Sequence, residues 1–130
     1  MVPSLEEVCR VAQEVVPRYK AEAVRVVTEL GLCQLLPVVE DWFRVRDVAE
    51  DVHLLISQAE EYGSSPDELD VRLMESETFR QASKTIEDDD RLETAVRELG
   101  ELLARMYAEI AEKLGYRTDV SGPKLHIYAY

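Results

Sequence analysis

Within residues 91–114, Leu92, Val96, Leu99, Leu103, Met106 and Ile110 follow one another at spacings of four, three, four, three and four. Only an α-helix brings such a set onto one face, and the alternation is that of a helix lying lengthwise against others. Ala95, Leu102 and Tyr107 widen the stripe beyond a two-stranded seam, so it reads as the face of a bundle. Glu93 with Arg97, and Glu101 with Arg105, set acid before base four residues apart on the wet side. A chain of 130 residues, 46% of them hydrophobic, is long enough to bury the core such a helix requires.

The rest of the chain supplies partners for that face. Ser4 with Glu7 forms a capping box, and Val2 beside Val8 serves as the hydrophobic staple. Leu5, Val8, Ala12, Val15, Tyr19, Ala23, Val26 and Leu30 then keep one helical phase across Pro17, which predicts a single long helix bent there and ended by Gly31. Pro37 opens a second helix with the seam Val38, Trp42, Val45, Ala49, Val52, Ile56 and Ala59, closed by Gly63. Ser65, Pro66 and Glu68 open a third, along Leu69, Leu73, Phe79, Ala82 and Ile86, with an interruption at Ser76 and Glu77. Four adjacent carboxylates, Glu87-Asp88-Asp89-Asp90, repel one another inside a helix, so a break is expected there over one continuous helix across residues 66–114. Asp90 with Glu93 caps the fourth helix, which Gly115 ends. Ser121-Gly122-Pro123 is a turn, and residues 124–130 alternate like a strand. The expected fold is all-α: an up-down-up-down four-helix bundle over residues 1–115, with an extended, strand-like C-terminal tail over 116–130.

Charge narrows the function classes. The formal net charge is −12, and the 15 basic residues are scattered with no two adjacent, so no nucleic-acid partner is expected. No apolar run approaches the roughly 18 residues of a membrane span. The first seven residues are acidic and lack the basic-then-apolar order of a secretion signal, so a cytoplasmic location is expected. Arg outnumbers Lys eleven to four and Asn is absent, a composition of the heat-adapted kind. Cys9 and Cys33 would be free thiols in a reducing compartment, and the Cys and His residues do not stand at zinc-ligand spacing, so no structural zinc site is expected.

Candidate chemistry centres on a few positions. Glu50 and His53 stand three apart, the pair that each metal-binding helix of a ferritin-like bundle supplies, and Glu22 and Glu77 fall where the seams call for apolar residues. Glu109 and Glu112 add carboxylates, but the second histidine, His126, lies in the tail, and no cofactor is expected. Arg46 followed by His53 resembles the Arg-x(4–6)-His motif of the HEPN family, all-helical domains that often cleave RNA. The resemblance implies that this Arg and His act together on a phosphate. The all-helical nucleotide pyrophosphatases of the MazG type need Glu-x-x-Glu before Glu-x-x-Asp. Glu87 and Asp90 match only the second half, so that pattern fails. Neither cysteine has a histidine nearby in sequence, and no glycine-rich loop is present to cradle phosphate.

The largest remaining feature is apolar excess. Leu32, Leu35, Leu36, Val39, Trp42 and Phe43 exceed what one bundle seam covers, and Leu125, Ile127, Tyr128 and Tyr130 recur in the tail. Together they are expected to form a contact surface. The expected function is that of a non-catalytic interaction protein, self-associating as a homo-oligomer or acting as a subunit beside a protein partner. The alternative is a metal-binding bundle or HEPN-like nuclease centred on Arg46, Glu50 and His53.

Overall fold

Three long helices carry the core, and each reaches its length because its ends are chemically closed. The computed structural model describes residues 1–65 and 76–129. Helix α1 spans Leu5–Glu29 and starts where the Ser4 hydroxyl accepts the Glu7 N–H at 3.2 Å. It runs on through Pro17, whose missing N–H falls on an exposed side where water can satisfy the Gln13 carbonyl. At its end Gly31 takes φ +70°, and the Leu32 and Gly31 N–H groups return to the Val27 and Thr28 carbonyls at 2.8 and 3.0 Å. This is the paired C-terminal closure that a left-handed glycine permits, with buried Leu32 and Val27 completing it.

The expected second helix is two. A 3-10 turn, Cys33–Leu35, leads into α2, Leu36–Trp42; Phe43 (φ −111°, ψ 40°) and Arg44 (φ −94°, ψ 127°) then break the helix before α3, Val45–Tyr62. Trp42 and Phe43 are both buried, and adjacent residues on one straight helix point about 100° apart, so a break serves to bury both. Helix α2 packs on α1, on the 3-10 turn and on a later short helix, whereas α3 runs against α1.

The third helix also differs from expectation. Its predicted start at Pro66, Glu68, Leu69 and Leu73 lies outside the described residues. What is described is α4, Glu77–Ser83, for which Ser76 is the cap, its hydroxyl accepting the Phe79 N–H at 3.3 Å. The supposed interruption at Ser76 and Glu77 is therefore a helix start. The chain leaves helix after Ser83, so no single helix crosses residues 84–88. Helix α5, Asp89–Lys113, is capped by Asp88, two residues before the expected Asp90, with its carboxylate accepting the Arg91 N–H at 3.1 Å.

The extended tail expected over residues 116–130 is, within the described residues, a hairpin. Arg117–Ser121 (β1) pairs antiparallel with Lys124–Tyr128 (β2), from Arg117 opposite Tyr128 to Ser121 opposite Lys124, around a two-residue Gly122-Pro123 loop. The strand expected over residues 124–130 finds its partner within the same chain, in β1. The far edge of β2 is met by Ser64 and Ser65: the Ser65 N–H donates to the Ile127 carbonyl at 2.9 Å, and its buried hydroxyl accepts the Ile127 N–H at 2.8 Å. Both strands lie on α5, and Leu125 and Ile127 are fully buried in the same core as the helices.

The described chain is thus mostly helical, with five α-helices and a small C-terminal hairpin. Its core is the mutual contact of α1, α3 and α5, with α2 and α4 as shorter accessory helices. Polar ties fix the long helices. The Tyr107 hydroxyl donates to Asp51 at 2.9 Å, the Tyr19 hydroxyl to Glu109 at 3.0 Å, and Arg91 to the Leu30 carbonyl at 2.8 Å. The Tyr116 hydroxyl donates to Glu60 at 2.8 Å and ties the root of the hairpin to the end of α3.

Two consequences are measurable. A Cβ on residue 31 would adopt a left-handed backbone and stand 3.1 Å from Arg91 Nη1, so Gly31→Ala should cost about 1–2 kcal/mol in urea denaturation. Burial first, then the bond to Glu60, pushes the Tyr116 phenol from its ordinary value of 10 up to about 12. The folded state therefore holds this proton more tightly than the unfolded chain. The stabilisation is complete below the unfolded value and is lost as pH rises from about 10 to about 12. Tyr116→Phe should lower stability at neutral pH by about 1 kcal/mol and flatten that alkaline loss. An equally steep loss in the variant would show that the phenol is not responsible.

Candidate docking groove

Phe79 is held at the middle of α4 by the Ser76 cap and is 7% exposed. Its ring stacks on Trp42 of α2, with centroids 5.8 Å apart and planes 27° apart. Trp42 is the chain's single tryptophan, and its indole N–H is buried with no hydrogen-bond partner among the described residues. Across from Phe79, Leu92 and Val96 stand one turn apart on α5. They begin the stripe whose later members, Leu99 and Leu103, are buried, yet they are themselves only half covered. The reason is local: α4 is only seven residues long, and the α5 stripe outruns it.

The result is a cavity of about 580 Å³ lined by Phe79, Ser83, Leu92, Val96 and Pro123 of the hairpin loop, with exposed Asp89, Glu93 and Arg97 as its polar rim. The rim sits at a strongly acidic helix start. Asp88 accepts the Arg91 N–H and then its guanidinium, which together hold the carboxyl below the usual carboxylate range. Exposed Glu87, Asp89 and Asp90 surround it, and negative charge there complements the helix dipole. Among the described residues, no cation lies within ion-pair distance of Glu87, Asp89, Asp90 or Glu93. Two smaller cavities are lined differently. One has Cys9 beside Arg10 and Arg46; the other is a polar cleft of Glu22, Glu29, Glu98 and Glu101 with Arg25 and Arg105.

The residues expected at a contact surface lie elsewhere. Leu32, Leu35, Val39, Trp42, Phe43, Leu125 and Ile127 are buried in the chain's own core, between 0 and 9% exposed. Leu36 and Tyr128 are half-buried, the latter under the Arg117 guanidinium at 4.8 Å, and Tyr130 lies outside the described residues. Seven of these ten side chains are thus part of the chain's own core.

The candidate ligands do not converge. Glu22 is engaged by Arg25, Glu50 accepts from Arg46 at 3.0 Å, and Glu77 accepts from Arg80 and Gln81 at 2.7 Å each. His53 is half-buried on α3. Glu109 is held by Arg18 and Tyr19, and Glu112 by Thr118. Among the described residues, no three His, Cys, Asp or Glu side chains gather as a metal site would require. Cys9 and Cys33 are free thiols. Arg46, Asp47 and His53 on α3 carry the HEPN resemblance, and the Arg46 guanidinium is already bound to Glu50.

Sequence reasoning singled out Phe79, Leu92 and Val96 as core positions and Pro123 as a turn, and joined none of them into a site. The signal was the mismatch between the long fourth stripe and the looser third. Fold and groove together describe a small helical protein, closed by a β-hairpin, with an acid-rimmed apolar cleft. No helix among the described residues is long and apolar enough to cross a membrane. The chain matches no known family model, and no curated protein or solved structure is significantly similar to it.

Trp42 reports on this region because no second indole competes with it. Its emission should be blue-shifted from that of indole in water, and Phe79→Leu should move it to the red by removing the stacked ring. Emission at the water value in the folded wild type would contradict the stack.

Proposed function

We propose that this protein is a non-catalytic interaction protein, a subunit that receives part of a partner in the cleft between α4, α5 and the hairpin loop. The observation that carries this reading is the half-covered pair Leu92 and Val96, continuous with the core and open beside Phe79 and Pro123. Half-covered apolar side chains forgo about 25 cal/mol for each remaining Å² that a partner could cover. A cavity of about 580 Å³ falls within the range used for specific binding. The engaged carboxylates and the lone His53 on its helix support binding rather than a hydrolytic or metal-centred role. Leu32, Leu35, Val39, Trp42, Phe43, Leu125 and Ile127 are buried in the chain's own core, so the proposed contact surface is this cleft.

The cleft can be tested without knowing the partner. Nile red, an uncharged dye that brightens in apolar surroundings, should bind the folded protein at one saturable site. Val96→Glu should abolish that signal while the far-ultraviolet spectrum stays helical, because Val96 faces the cleft and is only half-buried. No saturable binding by the wild type, or equal binding by the variant, would overturn the proposal.

A further inference from the structure

The chemistry at the rim says more about the occupant, on the understanding that the cleft is a docking site. We infer that it receives a basic amphipathic segment of a different protein, with apolar side chains against Phe79, Leu92 and Val96 and Lys or Arg side chains against Asp89 and Glu93.

Three observations carry this. The apolar wall is built by residues four apart on α5, and a partner helix offers matching anchors at i, i+3 and i+4 spacing. Asp89 and Glu93 flank that wall on the same helix, and Glu87 and Asp90 extend the negative field at its N-terminal end. Among the described residues, Arg97 is the one cation in the lining beside Asp89 and Glu93, so the described rim is acid-dominated. Acids concentrated beside a low-dielectric wall attract cations and raise the encounter rate, an effect that weakens beyond about 10 Å at 0.1 M salt.

The same charges disfavour the other occupants. A second copy of this chain brings net charge −12 and scattered cations, of which Arg18, Lys20, Arg25, Arg44, Arg46, Arg80 and Arg91 are already ion-paired. Nucleic acid would meet a rim of its own sign. A basic segment gains from both the wall and the rim, and acidic or uncharged apolar segments are discriminated against by one of the two.

The test uses the whole protein and three synthetic 14-residue peptides. The first is a lysine–leucine amphipathic helix, the second has the same composition with its leucines dispersed around the helix, and the third carries glutamate for lysine. Binding is followed by Trp42 emission and by calorimetry. The first peptide should bind one to one, the dispersed form at least tenfold more weakly, and the acidic form not measurably. The exposed double variant Asp89→Lys/Glu93→Lys should lose at least tenfold. Glu6→Lys/Glu14→Lys, which makes the same change in net charge outside the cleft, should lose less than threefold. Equal losses in both double variants would reduce the effect to overall charge and overturn the inference. So would equal binding of the dispersed peptide, or a dimer in sedimentation that Val96→Glu returns to monomer and the basic peptide does not displace. Should Nile red bind while the basic peptide does not, the cleft survives and its charge assignment falls. Failure of both removes the docking reading itself.

Discussion

Burial of residues 32–43 against the long helices is the constraint on which the rest of this structure depends. Leu32, Leu35, Val38, Val39, Trp42 and Phe43 are all nearly or fully removed from solvent, and no single straight helix can hide them together. The chain meets the requirement with a glycine-terminated α1, a 3-10 turn, a short α2 and a break before α3. Each change of direction is stabilised locally, by the returning N–H groups at Gly31 and Leu32 or by the restart of hydrogen bonding at Val48 to the Arg44 carbonyl, at 2.9 Å. Whole-residue burial of this kind contributes about 1.5–3 kcal/mol per large side chain, enough to outweigh the few hydrogen bonds lost at a helix break.

Spending α2 in this way leaves the first turns of α5 with a short neighbour. Helix α4 is seven residues long against twenty-five for α5, and it offers Phe79 where a full-length helix would offer several anchors. Phe79 is in turn occupied on its other face by Trp42. The cleft lies where Leu92 and Val96 face the short α4 and the hairpin loop at Pro123.

Electrostatics then divides the surface by role. Pairs such as Arg25 with Glu22 and Glu29, or Arg46 with Glu50, sit on exposed helix flanks and contribute little to stability, because both partners remain hydrated. Their larger effect is to occupy cations. Tyr107–Asp51 and Tyr116–Glu60 lie partly buried between elements and fix the geometry of α3 against α5 and the hairpin. The acids at the start of α5 suit the helix dipole and give the cleft its sign.

By itself the sequence determined the parts whose signals are local: α1 from its Ser4 cap to Gly31 as one helix across Pro17, the full stripe of α5, and the turn at Gly122 and Pro123. Spacing, capping and glycine placement act over a few residues, so they can be read in one dimension. Tertiary structure decided what depends on neighbours. It broke the second helix at Phe43 because two adjacent large side chains both had to be buried. It folded residues 117–128 into a hairpin because Ser64 and Ser65 and the α5 surface were there to receive it. It also left Leu92 and Val96 half-covered beside the buried Phe79, as walls of a cleft. Whether an apolar side chain ends inside or at an opening depends on what lies across from it, and residues far apart in the chain settle that.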